Sequence, residues 1–199
     1  HSIPKQNFSC AHEIAHTFFL PPTASVRTRT SLIPLAGLVE RDEEEHLCNM
    51  AAAELLMPRH IFSQEVAYRG LSVKSIEPLS KLFLTSVPAT AIRLAETSPQ
   101  PCITILWQFG DRPGSEERKL RVAWSVQYRR HTNEHSYYIP RYASIRRSSS
   151  VFEAYESDKV TTDFEMLALG NLKGRYYIES KGFGQGASRY VLSLVFLER

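Results

Sequence analysis

The stretch RLAETSPQPCITILWQF, residues 93–109, decides how the rest of the chain is read. To its left a helical spacing runs into Thr97–Pro101, which is polar and proline-rich; to its right begins a β-branched and aromatic run. Proline lacks the amide hydrogen a helix interior needs, and alternating Ile, Thr and Trp suit a pleated strand, so the element type changes here. The expectation is an α+β chain of two parts, a helical unit over 1–97 and a strand-rich unit over 101–199.

Working leftward, TSVPATAIRLAE (85–96) and IEPLSKLF (76–83) read as two helices joined by a tight turn, a helix-turn-helix-like pair within 72–97. Pro88 falls in the first turn of the second helix and few basic or amide side chains accompany Arg93, which favours packing over DNA reading. PRHIFSQEVAYRG (58–70) reads as a short helix closed by Gly70. A helix is expected from near Arg41 to Met57, its acidic run Asp42–Glu45 suited to the positive end of the helix dipole, with Glu43 and Glu44 read as a solvated first turn. Leu47, Ala51 and Leu55 mark its packed side. Residues 21–38 read as a connection bordering a cleft, and FSCAHEIAHTFFL (8–20) as a helix stopped by Pro21-Pro22.

Working rightward, strands are expected at CITILWQF, KLRVAWSVQY, SYYIP, VFEAY, GRYYIES and RYVLSLVFLE. GFGQGASR (182–189) reads as a hairpin loop, since a nucleotide fingerprint needs a helix after its glycines. The basic clusters Arg129-Arg130-His131 and Arg141–Arg147 read as solvated surface that could meet nucleic acid or an acidic partner.

Composition narrows the class. With 43% hydrophobic and 23% charged residues the chain is an ordinary globular protein, and no apolar run reaches the length of a membrane span. Three cysteines, Cys10, Cys48 and Cys102, lack any CxxC spacing, which argues against a disulfide framework and fits a cytoplasmic setting. No signal-peptide pattern follows His1, and the start reads as a truncation. A net charge of +3 falls short of the dense basic stripe of a DNA-binding surface.

Chemistry concentrates in His12-Glu13-Ile14-Ala15-His16. On a helix, residues four apart are offset by about 40°, so both imidazoles project from one face and can reach a single ion. Glu13 then stands where a general base for hydrolysis belongs. The apolar flanks Phe8, Ile14, Phe18 and Phe19 are expected to seat this helix inside a domain. A catalytic zinc takes a third protein ligand and keeps a position open for water. In EEEHLCNMAAAELLMP (43–58), Glu45 shares a face with Asn49 while Glu54 lies opposite, and His46 and Cys48 are rival ligands.

Three pieces of this sequence resemble the ImmA/IrrE family of metallopeptidases: FSCAHEIAH, EHLCNMAAAELLMP and SVPATAIRLAE. Leu-Cys-Asn and Ala-Ala-Ala in the second are similar in particular to IrrE-type regulators of radiation response. The resemblance implies a zincin-like, gluzincin-like metalloendopeptidase domain, here without the family's strand and helix ahead of HExxH, followed by a GAF-like domain for small-ligand sensing or dimer contacts. It implies His12, His16 and Glu45 as ligands of zinc, with manganese as the alternative metal, and Glu13 as catalytic base. The implied substrate is a helix-turn-helix transcriptional repressor, cut to release stress-response or mobile-element genes. A non-proteolytic regulator that binds a repressor or DNA, its helices held together by zinc, is the rival expectation. Asn7 and Ala15 depart from the family's usual basic residue and glycine without removing a ligand.

Overall fold

The computed structural model describes residues 2–19, 36–127 and 136–197, with backbone alone for 36–42. Five helices, α1 (Ile3–His16), α2 (Ala36–Leu56), α3 (Arg59–Arg69), α4 (Val73–Leu82) and α5 (Val87–Thr97), precede the strands β1 (Cys102–Arg112) and β2 (Ser115–Gln127). Helix α6 (Ser150–Glu156) and strands β3 (Thr161–Leu169), β4 (Leu172–Phe183) and β5 (Tyr190–Phe196) complete the fold. Among the described residues no helix is long and apolar enough to cross a membrane.

The strands form one antiparallel sheet in the order β2-β1-β5-β4-β3. Its central strand β5 sorts its side chains by the two-residue period of a pleated strand. Val191 and Val195 enter a core with Ile103, Ile105, Trp107 and the α6 residues Val151 and Phe152, whereas Leu192, Leu194 and Phe196 enter a second core with Phe62, Ile76, Leu79 and Leu94 from α3–α5. Both faces of the sheet are therefore covered, and helices from one side of residues 97–101 share a core with strands from the other. Across the middle of the sheet, Trp107 Nε1 donates to Ser193 Oγ at 2.9 Å, and Ser193 Oγ lies 2.7 Å from Ser180 Oγ, so three buried polar groups on β1, β5 and β4 satisfy one another.

Side-chain caps set several boundaries. Ser72, Ser86 and Ser149 accept from Lys74, Ala89 and Phe152 amides, which fixes the starts of α4, α5 and α6. Gly70 ends α3 at φ 86°, and Gly184 and Gly186 turn the β4–β5 connection at positive φ, as the hairpin reading required.

Four expectations are corrected. VFEAY is helix rather than strand, because the Ser149 cap and the burial of Val151, Phe152 and Ala154 along one helical face override β propensity. SYYIP forms no strand, and β3 was not foreseen, since Asp163 and Glu165 interrupt the face it buries with Leu167 and Leu169 while Phe164 and Met166 stand exposed on the other. Helix α2 starts at Ala36, so Asp42–Glu45 lies in its interior and not in its first turn. Its packed side is Cys48 and Ala52, both fully buried, while Leu47 and Leu55 are exposed. The expected C-terminal boundary of the first helix at Leu20 and the connection at 21–35 lie outside the described residues, but α1 itself closes at His16.

Candidate metal centre

Helix α1 packs chiefly against α2. Its buried residues are the small Ala11 and Ala15, which meet a helix whose own buried positions are Cys48 and Ala52, so the two backbones can approach closely. The expected burial of the larger flanks is not found: Phe8, Ile14, Phe18 and Phe19 are all exposed. Close approach through alanine is what carries the His12 and His16 side chains to the acidic stretch of α2.

There the Nε2 atoms of His12 and His16 stand 3.1 Å apart, with the rings edge to face. Glu45 Oε2 lies 3.2 Å from His12 Nε2, and Glu45 Oε1 lies 3.6 Å from His16 Nε2. Tetrahedral zinc with ligands at ~2.0–2.1 Å has an edge of about 3.3 Å, which the two imidazole nitrogens at 3.1 Å and His12 with Glu45 Oε2 at 3.2 Å approach, the 3.6 Å contact to His16 coming from the other oxygen of the same carboxylate. The donor set, two imidazoles and one carboxylate, is one that zinc accepts. The Nδ1 atom of His12 is buried and meets no partner among the described residues, so the polar surroundings of that ring are all at Nε2. The residues present fit a divalent cation, and His12, His16 and Glu45 are the grouping that could hold one.

Glu44, one position earlier, reaches the other nitrogen of His16, with Oε1 3.2 Å from Nδ1. A carboxylate there fixes the tautomer and orientation of the ring and leaves Nε2 free to face Glu45. Glu44 is thus not the solvated first-turn charge that its place in the acidic run suggests, but a partner of His16. The signal that finds it is helical: Glu44 and Glu45 are about 100° apart on α2 and so can embrace one imidazole from two sides.

Glu13 is exposed on α1 beside His12. Its charge acts on α2: burial first, then the carboxylates of Glu44, Glu45 and Glu13, push the Cys48 thiol up from its ordinary value. The group that His12, His16 and Glu45 form includes neither Cys48 nor His46, the latter lining a different cavity. Cys10 is exposed on α1, away from the cluster. Glu54, opposite Glu45 as the spacing foretold, is bound instead to Arg93, and hydrogen bonds from the Arg59 amide and Arg93 lower its carboxyl against the opposing effect of burial. Arg93 is itself buried, its Nε donating to Met57 O at 2.9 Å, so it locks α5 onto the end of α2 and is not presented to DNA.

A cavity of about 850 Å³ opens between α1, α2 and α5, with Phe8, Asn49, Met50, Met57 and Ile92 in its lining. It begins one helical turn from the cluster, since Phe8 also packs on His12 with ring centroids 6.1 Å apart.

Residues 1–95 match the family model of the IrrE N-terminal-like domain. The radiation response metalloprotease IrrE of Deinococcus radiodurans is 32% identical over 111 residues, which are 55% of this chain and 33% of that protein. The chain thus spans about a third of the length of that curated relative. A Mycobacterium tuberculosis transcriptional regulator of known structure superposes with a TM-score of 0.56 at 13% identity, over 97% of this chain and 56% of that one. Likeness at so low an identity shows the fold alone.

Proposed function

We propose that this chain, whose N-terminal half matches the IrrE N-terminal-like domain, is a zinc-dependent endopeptidase that hydrolyses a peptide bond in a helix-turn-helix transcriptional repressor and so derepresses stress-response genes. The observation that carries the reading is the convergence of His12, His16 and Glu45 on one point from two helices. In this reading α1–α5, residues 1–97, are the zincin-like unit, residues 101–199 are a GAF-like unit for sensing or dimer contacts, and the protein works in the cytoplasm.

His12, His16 and Glu45 would hold Zn²⁺ or Mn²⁺, with Glu44 orienting His16. A metal held there would supply Lewis acidity and lower the pKa of water toward neutrality. Glu13 receives the proton that the attacking water gives up and returns it to the amine as the peptide bond breaks. The cavity beside Phe8 and Asn49 receives the substrate chain, its apolar walls excluding water from the scissile bond.

Metal content and repressor cleavage, measured on the parent and on Glu13→Gln, test the reading. The variant retains metal and loses cleavage; cleavage at the parental rate by Glu13→Gln removes Glu13 from the mechanism. The second reading, a metal-stabilised regulator that binds a repressor or DNA without cutting, is favoured if both proteins bind the repressor equally and neither cuts it.

A further inference from the structure

The face of the sheet opposite α3–α5 carries a cleft of about 470 Å³ between the β1–β2 hairpin, the segment leading to α6, and α6 itself. Its lining includes Phe109, Arg118, Lys119, Arg146, Arg147 and Phe152. We propose that this cleft binds a small phosphate ester, its phosphate between the guanidinium groups of Arg118 and Arg147 and its carbon skeleton on Phe109, Leu120 and Phe152. The proposal is independent of the peptidase reading.

Charge comes first. Four cations line the cleft against one carboxylate, Glu117, and a second, Asp111, stands 3.7 Å from Arg118. Lys119 pairs with Glu117 at 2.8 Å, and no carboxylate among the described residues pairs with Arg146 or Arg147. Arg146 and Arg147 are thus left without an acidic partner, and Arg118 meets Asp111 only through its Nε, with its terminal nitrogens turned to no carboxylate among the described residues; guanidinium is the side chain whose planar fork fits phosphate oxygens two at a time.

Preorganisation is the second support. The Arg118 guanidinium lies over the Phe109 ring at 5.3 Å and that of Arg147 over Phe152 at 5.8 Å, while Tyr155 stacks on Phe109 and also contacts Phe152. One aromatic group of three rings therefore carries a cation at each end, held by attraction to the ring faces. The backbone beneath is tied down too: Ile145 N donates to Leu120 O, Ser149 N to Arg146 O, and the buried Arg121 donates to the carbonyls of Gly110, Glu117 and Tyr142. The volume falls within the range of small-molecule sites, and the cations converge in a concavity with an apolar floor, unlike the open basic stripe that tracks a nucleic-acid backbone.

Calorimetric titration with adenosine monophosphate, phenyl phosphate, inorganic pyrophosphate, adenosine and a single-stranded decanucleotide tests this. Saturable binding of the phosphate esters, at least about tenfold tighter than adenosine, is expected. Arg118→Ala/Arg147→Ala weakens it at least about tenfold, and the double lysine variant restores only part, because an ammonium cannot grip two oxygens in a plane. Both arginines are surface groups, and an unchanged thermal midpoint shows that the variants fold. The proposal is overturned if none of the phosphates saturates, if adenosine binds as well as its phosphate, if the variants bind like the parent, or if the decanucleotide binds more tightly with the steep salt dependence of counterion release.

Discussion

Glu44 and His16 form a carboxylate–imidazole pair, Oε1 to Nδ1 at 3.2 Å, that leaves the opposite ring nitrogen turned toward Glu45. Partners of this kind commonly contribute about 10- to 100-fold to metal affinity. Glu44→Ala should therefore weaken zinc binding by about that factor, whereas Glu45→Ala, at the position proposed to hold the metal, should weaken it further. Competition against a chromogenic chelator ranks the two variants, and the reverse order would exchange their roles.

Glu179 on β4 reaches the start of α4, where its Oε2 accepts from Ser72 Oγ at 2.6 Å and from Val73 N at 3.1 Å. A buried carboxylate receiving the free amide of a helix N-terminus is favourably placed with respect to the helix dipole. Glu179→Gln should lower unfolding stability by about 1–2 kcal/mol, and Ser72→Ala by about 1 kcal/mol, with less than additive loss in the double variant. Urea unfolding of the four proteins measures the coupling.

Lys181 Nζ at 2.7 Å, with Lys81 at 2.9 Å, holds the Glu77 carboxyl down at about 2, below its ordinary 4.5. A carboxyl depressed in the folded state stabilises it above the unfolded value, and this contribution is lost as pH falls through the folded one. Here the window runs from 4.5 down to about 2. Because the Glu77 side chain is 37% exposed, solvent screening limits the effect to about 1 kcal/mol. The stability difference between parent and Glu77→Gln should be present at neutral pH and vanish near the acid end of that window.

Ser193 serves two buried partners, Trp107 Nε1 and Ser180 Oγ. Ser193→Ala strands the indole N–H and should cost about 2 kcal/mol, with a change in near-ultraviolet circular dichroism from Trp107. Ser180→Ala leaves the indole bond intact and should cost less.

The grouping of His12, His16 and Glu45 was legible because a helix turns two histidines four apart to one side, and because Glu45 and Asn49 repeat that spacing on a second helix. Glu44 was hidden by a misplaced boundary: taking the acidic run as a helix start made it solvent-facing, yet α2 already begins at Ala36. In the strand-rich half, β1, β2, β4 and β5 announced themselves through β-branched and aromatic runs, as did the glycine turn at 184–186. VFEAY misled because its residues favour strands and the deciding group, Ser149, lies outside them. The edge strand β3 was masked because Asp163 and Glu165 sit on the same face as Leu167 and Leu169, while the apolar Phe164 and Met166 face water, which inverts the alternation expected of a half-buried strand. The burial of Arg93 was likewise invisible locally, since its partner Glu54 is far away in sequence.

Because β5 feeds one core with Val191 and Val195 and the other with Leu192, Leu194 and Phe196, its frame is fixed from both sides at once. Deleting a single residue within it would trade the two inventories, sending each set of side chains into the compartment shaped for the other. An extra residue in the nearby 184–189 turn would only lengthen a surface bend. Adjacent indels on this hairpin should therefore divide sharply into lethal and silent.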